Sequence, residues 1–101
     1  MRMTGSTLAV LAVMASQPSH EMYGLEIAER AGVASGTVYP ILLRLEREGW
    51  LTGTWEDIDE STEGRRRRRN YHLTGLGQRE AARVLSERQQ VITWRLGGAL
   101  A

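Results

Sequence analysis

Two helical patterns between residues 23 and 48 are separated only by Gly32-Val33-Ala34, and that short gap constrains the fold more than any other feature of the chain. Tyr23 to Ala31 predicts a helix with Leu25, Ile27 and Ala28 facing inward. Gly32 stops it, because glycine accepts the left-handed conformation in which helices commonly end. Ser35 or Gly36 caps a second helix through Glu48, where Val38, Ile41, Leu42 and Leu45 recur at the spacing of one buried stripe. The opposite face carries Thr37, Pro40, Arg44 and Arg47. Pro40 costs little near the first turn, where few backbone donors have intrahelical partners. After Gly49, residues 50–55 and 69–73 read as two strands joined by a long polar connection. Upstream, Thr4 or Ser6 caps a helix to about Ala15 that Gln17-Pro18-Ser19 ends. Downstream, Thr74 caps a last helix reaching Leu96, with Gly97-Gly98 as its stop. Paired short helices followed by a hairpin are the order of a winged helix-turn-helix, a mostly α fold with a small β-wing (α+β).

A chain of 101 residues has room for one domain and one modest core. Its first apolar run, residues 7–15, resembles the core of a signal peptide. It is about half the roughly 20 residues needed to cross a bilayer, however, and removing it would strip apolar surface from a small core. A buried first helix is expected there, and no membrane partner. The chain has no cysteine, which excludes disulfides and thiolate metal sites and suits a cytoplasmic location. His20 and His72 are the only histidines. No motif joins a nucleophile to a base, assembles a metal triad or makes a glycine-rich phosphate loop. Catalytic residues, metal ligands and cofactors are therefore all expected to be absent, and the chain is not expected to be an enzyme.

Net charge is only +1, so local charge decides what the chain attracts. Five consecutive arginines, Arg65, Arg66, Arg67, Arg68 and Arg69, follow the stretch from Glu56 to Glu63, which holds five acids. One reading is a self-neutralising hairpin whose exposed pairs contribute about 0–1 kcal/mol each. The other starts from the alternation of strand side chains between two faces. The acids then cannot reach every arginine, and the remainder are available for phosphate or a minor groove. Ser35 and Thr37 stand at a helix N-terminus, where free amides and the dipole favour a phosphate. Tyr39 either donates its hydroxyl to a phosphate or packs with its tip in water. Arg44 either forks onto a guanine or pairs with Glu48 in solvent.

Several segments resemble the PadR family of bacterial transcriptional regulators: Tyr23-Gly24-Leu25-Glu26-Ile27, Ser35-Gly36-Thr37-Val38-Tyr39-Pro40-Ile41-Leu42, Leu45-Glu46-Arg47-Glu48-Gly49-Trp50-Leu51, Trp55-Glu56 and Tyr71-His72-Leu73-Thr74. The resemblance covers roughly residues 6 to 80. It implies a homodimeric repressor, with the helix after Ser35 in the major groove of double-stranded DNA, the wing on backbone or minor groove, and a C-terminal helix for dimerisation. Residues 1–74 are then the DNA-binding domain and 75–101 the dimerisation helix of one structural unit. Tyr23 and Pro40, inside the matching motifs, join the expected DNA contacts. The wing departs from many relatives, with unbroken arginine after Gly64 and Asn70 where an aromatic usually stands. In the last helix Ala81, Ala82, Val84, Leu85, Val91, Ile92, Trp94 and Leu96 offer more apolar surface than a small domain covers by itself. A second copy is expected to bury it, with Leu8, Leu11, Leu85, Ile92 and Leu96 at the interface and a pseudo-palindromic operator as the target. Some relatives hold flat hydrophobic molecules between interface aromatics. Trp94 and Val91 are accordingly the positions expected to hold a hydrophobic small-molecule effector, beside the plainer reading of interface packing. A winged module acting on a protein or small molecule instead of DNA is the competing class.

Overall fold

The structure is a computed structural model describing residues 1–100; the side chains of residues 92 and 98–100 lie outside the description. Its elements follow as α1 (Gly5–Ser16), β1 (Met22–Tyr23), α2 (Gly24–Ala31), α3 (Ser35–Arg47), β2 (Leu51–Trp55), α4 (Glu60–Glu63), β3 (Arg69–Leu73) and α5 (Gly75–Leu100). Helices dominate, and the strands form one antiparallel sheet in the order β1-β3-β2.

Thr4 caps α1, its hydroxyl accepting from the Thr7 amide at 3.1 Å. Val10, Leu11 and Met14 of α1 are fully buried against α2, α3 and the sheet. Leu11, expected between two copies, therefore belongs to the core of a single chain and has no surface to offer a partner. The helix expected from Tyr23 begins one residue later. Tyr23 is extended and pairs with Asn70 of β3, so Met22 and Tyr23 add a short third strand to the sheet. Leu25, expected to face inward, is 50% exposed, while Ile27 and Ala28 are buried as expected. The inward place in that first turn is taken by Gly24. A Cβ on Gly24 would come within 2.6 Å of the Tyr39 ring, so its bare backbone lets α3 close on α2.

The turn at Gly32 has φ 67°, and Val33 N–H returns to the Ala28 carbonyl at 3.0 Å. α3 starts from the extended Ala34, which has no capping side chain, instead of from a Ser35 or Gly36 cap. Val38, Ile41, Leu42 and Leu45 form its buried stripe. β2 and β3 pair from Leu51↔Leu73 to Trp55↔Arg69. The acidic connection between them contains one helical turn, α4, capped by Asp59, whose Oδ1 accepts from the amides of Ser61 and Thr62.

Ala81 and Val84 dock the first part of α5 on the core. The helix then runs on through Gly97-Gly98, where a stop was expected. Glycine in a helix interior costs only about 1 kcal/mol and does not by itself terminate the element. Thr74 forms the joint at its start: its amide donates to the Trp50 carbonyl at 2.9 Å, and its hydroxyl donates to the Gly49 carbonyl at 2.6 Å and accepts from the Gly77 amide at 3.0 Å. At Gly77 a Cβ would stand 1.9 Å from the Trp50 carbonyl oxygen. Projection of α5 beyond the core gives the molecule extents of 62 × 25 × 21 Å.

Candidate nucleic-acid interface

The exposed face of α3 presents Ser35, Gly36, Thr37, Pro40, Arg44 and Arg47. No side chain caps this helix; the Thr37 amide donates to the Ala34 carbonyl at 2.9 Å, which leaves the amides of Ser35 and Gly36 and the hydroxyls of Ser35 and Thr37 for an incoming group. Tyr39 packs its ring on Gly24 while 47% of the residue remains exposed. Leu43, also exposed, adds an apolar position to this face that the pattern of polar residues did not indicate. Among the described residues Arg44 has no ion-pair partner; Glu48, four residues on, meets it only through the backbone, its amide donating to the Arg44 carbonyl.

The five arginines divide into two groups. Only Arg69 lies on a strand; the other four precede β3, so strand alternation does not sort them. Arg65 grips Glu56 with both guanidinium nitrogens, at 2.7 and 3.1 Å, and the Arg68 amide donates to the same carboxylate at 2.6 Å. Hydrogen bonds from the Arg65 guanidinium first, and from the Arg68 amide second, hold the Glu56 carboxyl down to about 2. Arg69 reaches back to Glu46 of α3 at 2.7 Å and is 28% exposed; its guanidinium is 5.3 Å from the centre of the Trp55 ring. Both arginines were expected on DNA; in the free chain each has a carboxylate in direct contact, Arg65 closing the base of the wing on Glu56 and Arg69 tying the wing to Glu46 of α3.

Arg66, Arg67 and Arg68 form the second group. Arg67 is 3.8 Å from Glu60 with both side chains about half exposed, a loose contact of little worth in water. Arg68 lies over the Tyr23 ring, 4.3 Å from its centre, and makes no ion pair among the described residues; nor does Arg66. The wing thus neutralises its own base and leaves cations at its outer part. Between this wing and the start of α2 and α3 runs a cleft of about 410 Å³, and a second of about 500 Å³ lies on the α3 side of Arg69 and Tyr71. Trp55, 55% exposed on β2, borders the first cleft; the sequence marked it only as part of a family-like segment at a strand end, not as a site residue.

Such a reading helix beside a cationic wing calls for comparison with known regulators. A family profile described as the transcriptional regulator PadR-like family matches residues 10–83. The chain belongs to the PadR-like family of transcriptional regulators. It is accordingly a transcription regulator and not an enzyme. Solved structures of similar architecture include a PadR-like transcriptional regulator, BC4206 from Bacillus cereus strain ATCC 14579, at 21% identity and TM-score 0.69 over 93% of this chain and 89% of that one. The protein smu.1704 from Streptococcus mutans UA159 is 27% identical, with TM-score 0.70 over 99% of this chain and 93% of its own. The transcriptional regulator PA4135 is 23% identical, with TM-score 0.68 over 96% and 68%. No curated protein matches the chain.

In this PadR-like chain the far part of α5 carries exposed apolar side chains. Val91, Trp94 and Leu96 are exposed, Trp94 at 78%, whereas Leu8 and Leu85 are partly buried on the core. Ile92 was expected at the same interface, but its side chain is outside the described residues. Ala82, placed on the apolar face, is exposed as well. No helix is long and apolar enough to cross a membrane, and no group of three or more His, Cys, Asp or Glu is placed to hold a metal ion, both among the described residues.

Proposed function

We propose that this PadR-like regulator binds duplex DNA sequence-specifically as a homodimer in the cytoplasm and represses transcription until an effector releases it. The observation that carries the reading is the triplet Arg66, Arg67 and Arg68. These cations are left over after the wing has neutralised its own base, and they line a cleft shared with Tyr39 of α3, the helix whose exposed face carries Ser35, Thr37 and Arg44. The wing arginines take phosphates, while Ser35, Thr37, Tyr39, Pro40 and Arg44 face a major groove, with Tyr23 beneath Arg68. Residues 1–74 read DNA and 75–101 pair the copies, with the exposed Val91, Trp94 and Leu96 covered by the second α5. A hydrophobic effector inserted at Trp94 and Val91 changes the spacing of the two reading heads and so the affinity for DNA.

Selection of bound fragments from random duplex DNA tests this directly. An enriched inverted repeat supports it, and the absence of any enriched sequence at moderate salt overturns it. On the enriched duplex, log affinity falls linearly with log salt at about 0.9 per neutralised phosphate. Replacing Arg66, Arg67 and Arg68 together by alanine reduces that slope by up to about 2.7.

A further inference from the structure

The cleft between the wing and the reading helices has a chemistry that phosphate contact alone does not use. Tyr23 of β1, Tyr39 of α3 and Trp55 of β2 line it, with Arg66, Arg67 and Arg68 around them. No carboxylate lines it, unlike the neighbouring cleft, where Glu46 holds Arg69. Its volume of about 410 Å³ is in the range of small-molecule sites. Tyr39 and Trp55 leave about half of their surface in water, and guanidinium groups already lie over rings here, Arg68 at 4.3 Å from the centre of Tyr23 and Arg67 at 5.8 Å from that of Trp55. Half-exposed rings thus stand next to three arginines, of which only Arg67 makes an ion pair among the described residues, with Glu60 at a loose 3.8 Å.

We propose that this cleft binds a free purine nucleotide in competition with DNA. Its base stacks on the exposed aromatics, as bases do on single-strand platforms. Its phosphates take the forked donors of Arg66, Arg67 and Arg68. A simple anion would use the arginines and leave the rings wet; a neutral aromatic would do the reverse. A ligand with a large π-face and several negative charges matches both halves, and a purine offers more stacking surface than a pyrimidine. Since the same arginines are assigned to DNA phosphates, the competition rests on the DNA-binding reading above, whereas binding of the nucleotide itself does not.

The test is titration calorimetry on the full chain with ATP, GTP, guanosine, inorganic tripolyphosphate and single-stranded hexathymidylate. ATP or GTP is expected to bind at least about tenfold more tightly than either guanosine or tripolyphosphate, and to displace a duplex recovered by selection. Trp55→Ala is expected to weaken nucleotide binding about 5- to 150-fold, the equivalent of the ~1–3 kcal/mol that stacking one base contributes. It should leave tripolyphosphate binding unchanged, and Trp55→Phe should restore most of the loss. Equal affinity for ATP and tripolyphosphate in the unmodified protein would overturn the proposal without any variant, as would binding of hexathymidylate with no response to mononucleotides. Loss of nucleotide binding with selective duplex binding intact sinks this inference alone. Nucleotide binding by a chain that selects no duplex sinks the DNA reading, and with it the competition.

Discussion

Gly77 lets the first turn of α5 approach the Trp50 carbonyl so closely that a methyl group at Cβ would overlap it at 1.9 Å. The obstacle is backbone on both sides, so no side chain can swing aside to relieve it. Gly77→Ala is expected to destabilise the fold by about 1–3 kcal/mol, the range of core overpacking. At roughly 4–8 °C per kcal/mol for a domain of this size, thermal unfolding followed by circular dichroism reads the loss easily. A second residue-level prediction concerns Glu56. Its carboxyl is held near 2 in the folded chain against an ordinary 4.5, so its contribution to stability is present in full above about 4.5. That contribution is lost as pH falls through about 2. Glu56→Gln should therefore flatten the stability profile between those limits, and a carbon-detected NMR titration should place the Glu56 midpoint well below those of exposed glutamates.

The wing is where residues far apart in the chain decide what each arginine does. Arg69 finds Glu46 twenty-three positions earlier and Arg65 finds Glu56 nine positions earlier. Neither pairing leaves a periodic trace, so the sequence shows five equal cations where the fold makes two tight pairs and, among the described residues, leaves Arg66 and Arg68 without an ion pair and Arg67 with only a loose one. Arg69→Ala should cost up to about 1 kcal/mol of stability, as expected for a partly exposed pair, and leave the salt slope of DNA binding unchanged. The slope of the Arg66, Arg67 and Arg68 triple variant should fall while its melting temperature holds, and the reverse pattern in either variant would refute the division. The buried stripe of α3 was legible because four apolar residues repeat at one period, and the helix-turn-helix followed from the gap at Gly32. β1 was not, since two residues are too few to show a period. Leu25 was misplaced because a pattern of apolar letters cannot tell that Gly24 occupies the inside position. α4 had a readable signal in Asp59, a good cap before Glu60, but the density of acids around it suggested an open loop.

For the whole molecule, the outer part of α5 carries Trp94, Leu96 and Val91 in solvent, more exposed apolar surface than the same chain tolerates anywhere on α1. The second copy proposed to cover these residues is expected to make the mass in solution concentration-dependent. Trp94→Asp combined with Leu96→Asp should weaken association by about thirtyfold or more, the equivalent of at least ~2 kcal/mol at a buried aromatic anchor. Sedimentation velocity measures this, and a wild-type chain that stays monomeric at all concentrations would refute it. The joint at Thr74 then acquires a mechanical meaning. It bonds to the two carbonyls that follow α3, at Gly49 and Trp50, and Gly77 seats against one of them, so α5 is fastened directly to the end of α3. A 26-residue helix is about 39 Å long. In the proposed dimer, such a helix is a tiller: a small turn at its far end moves α3 with it.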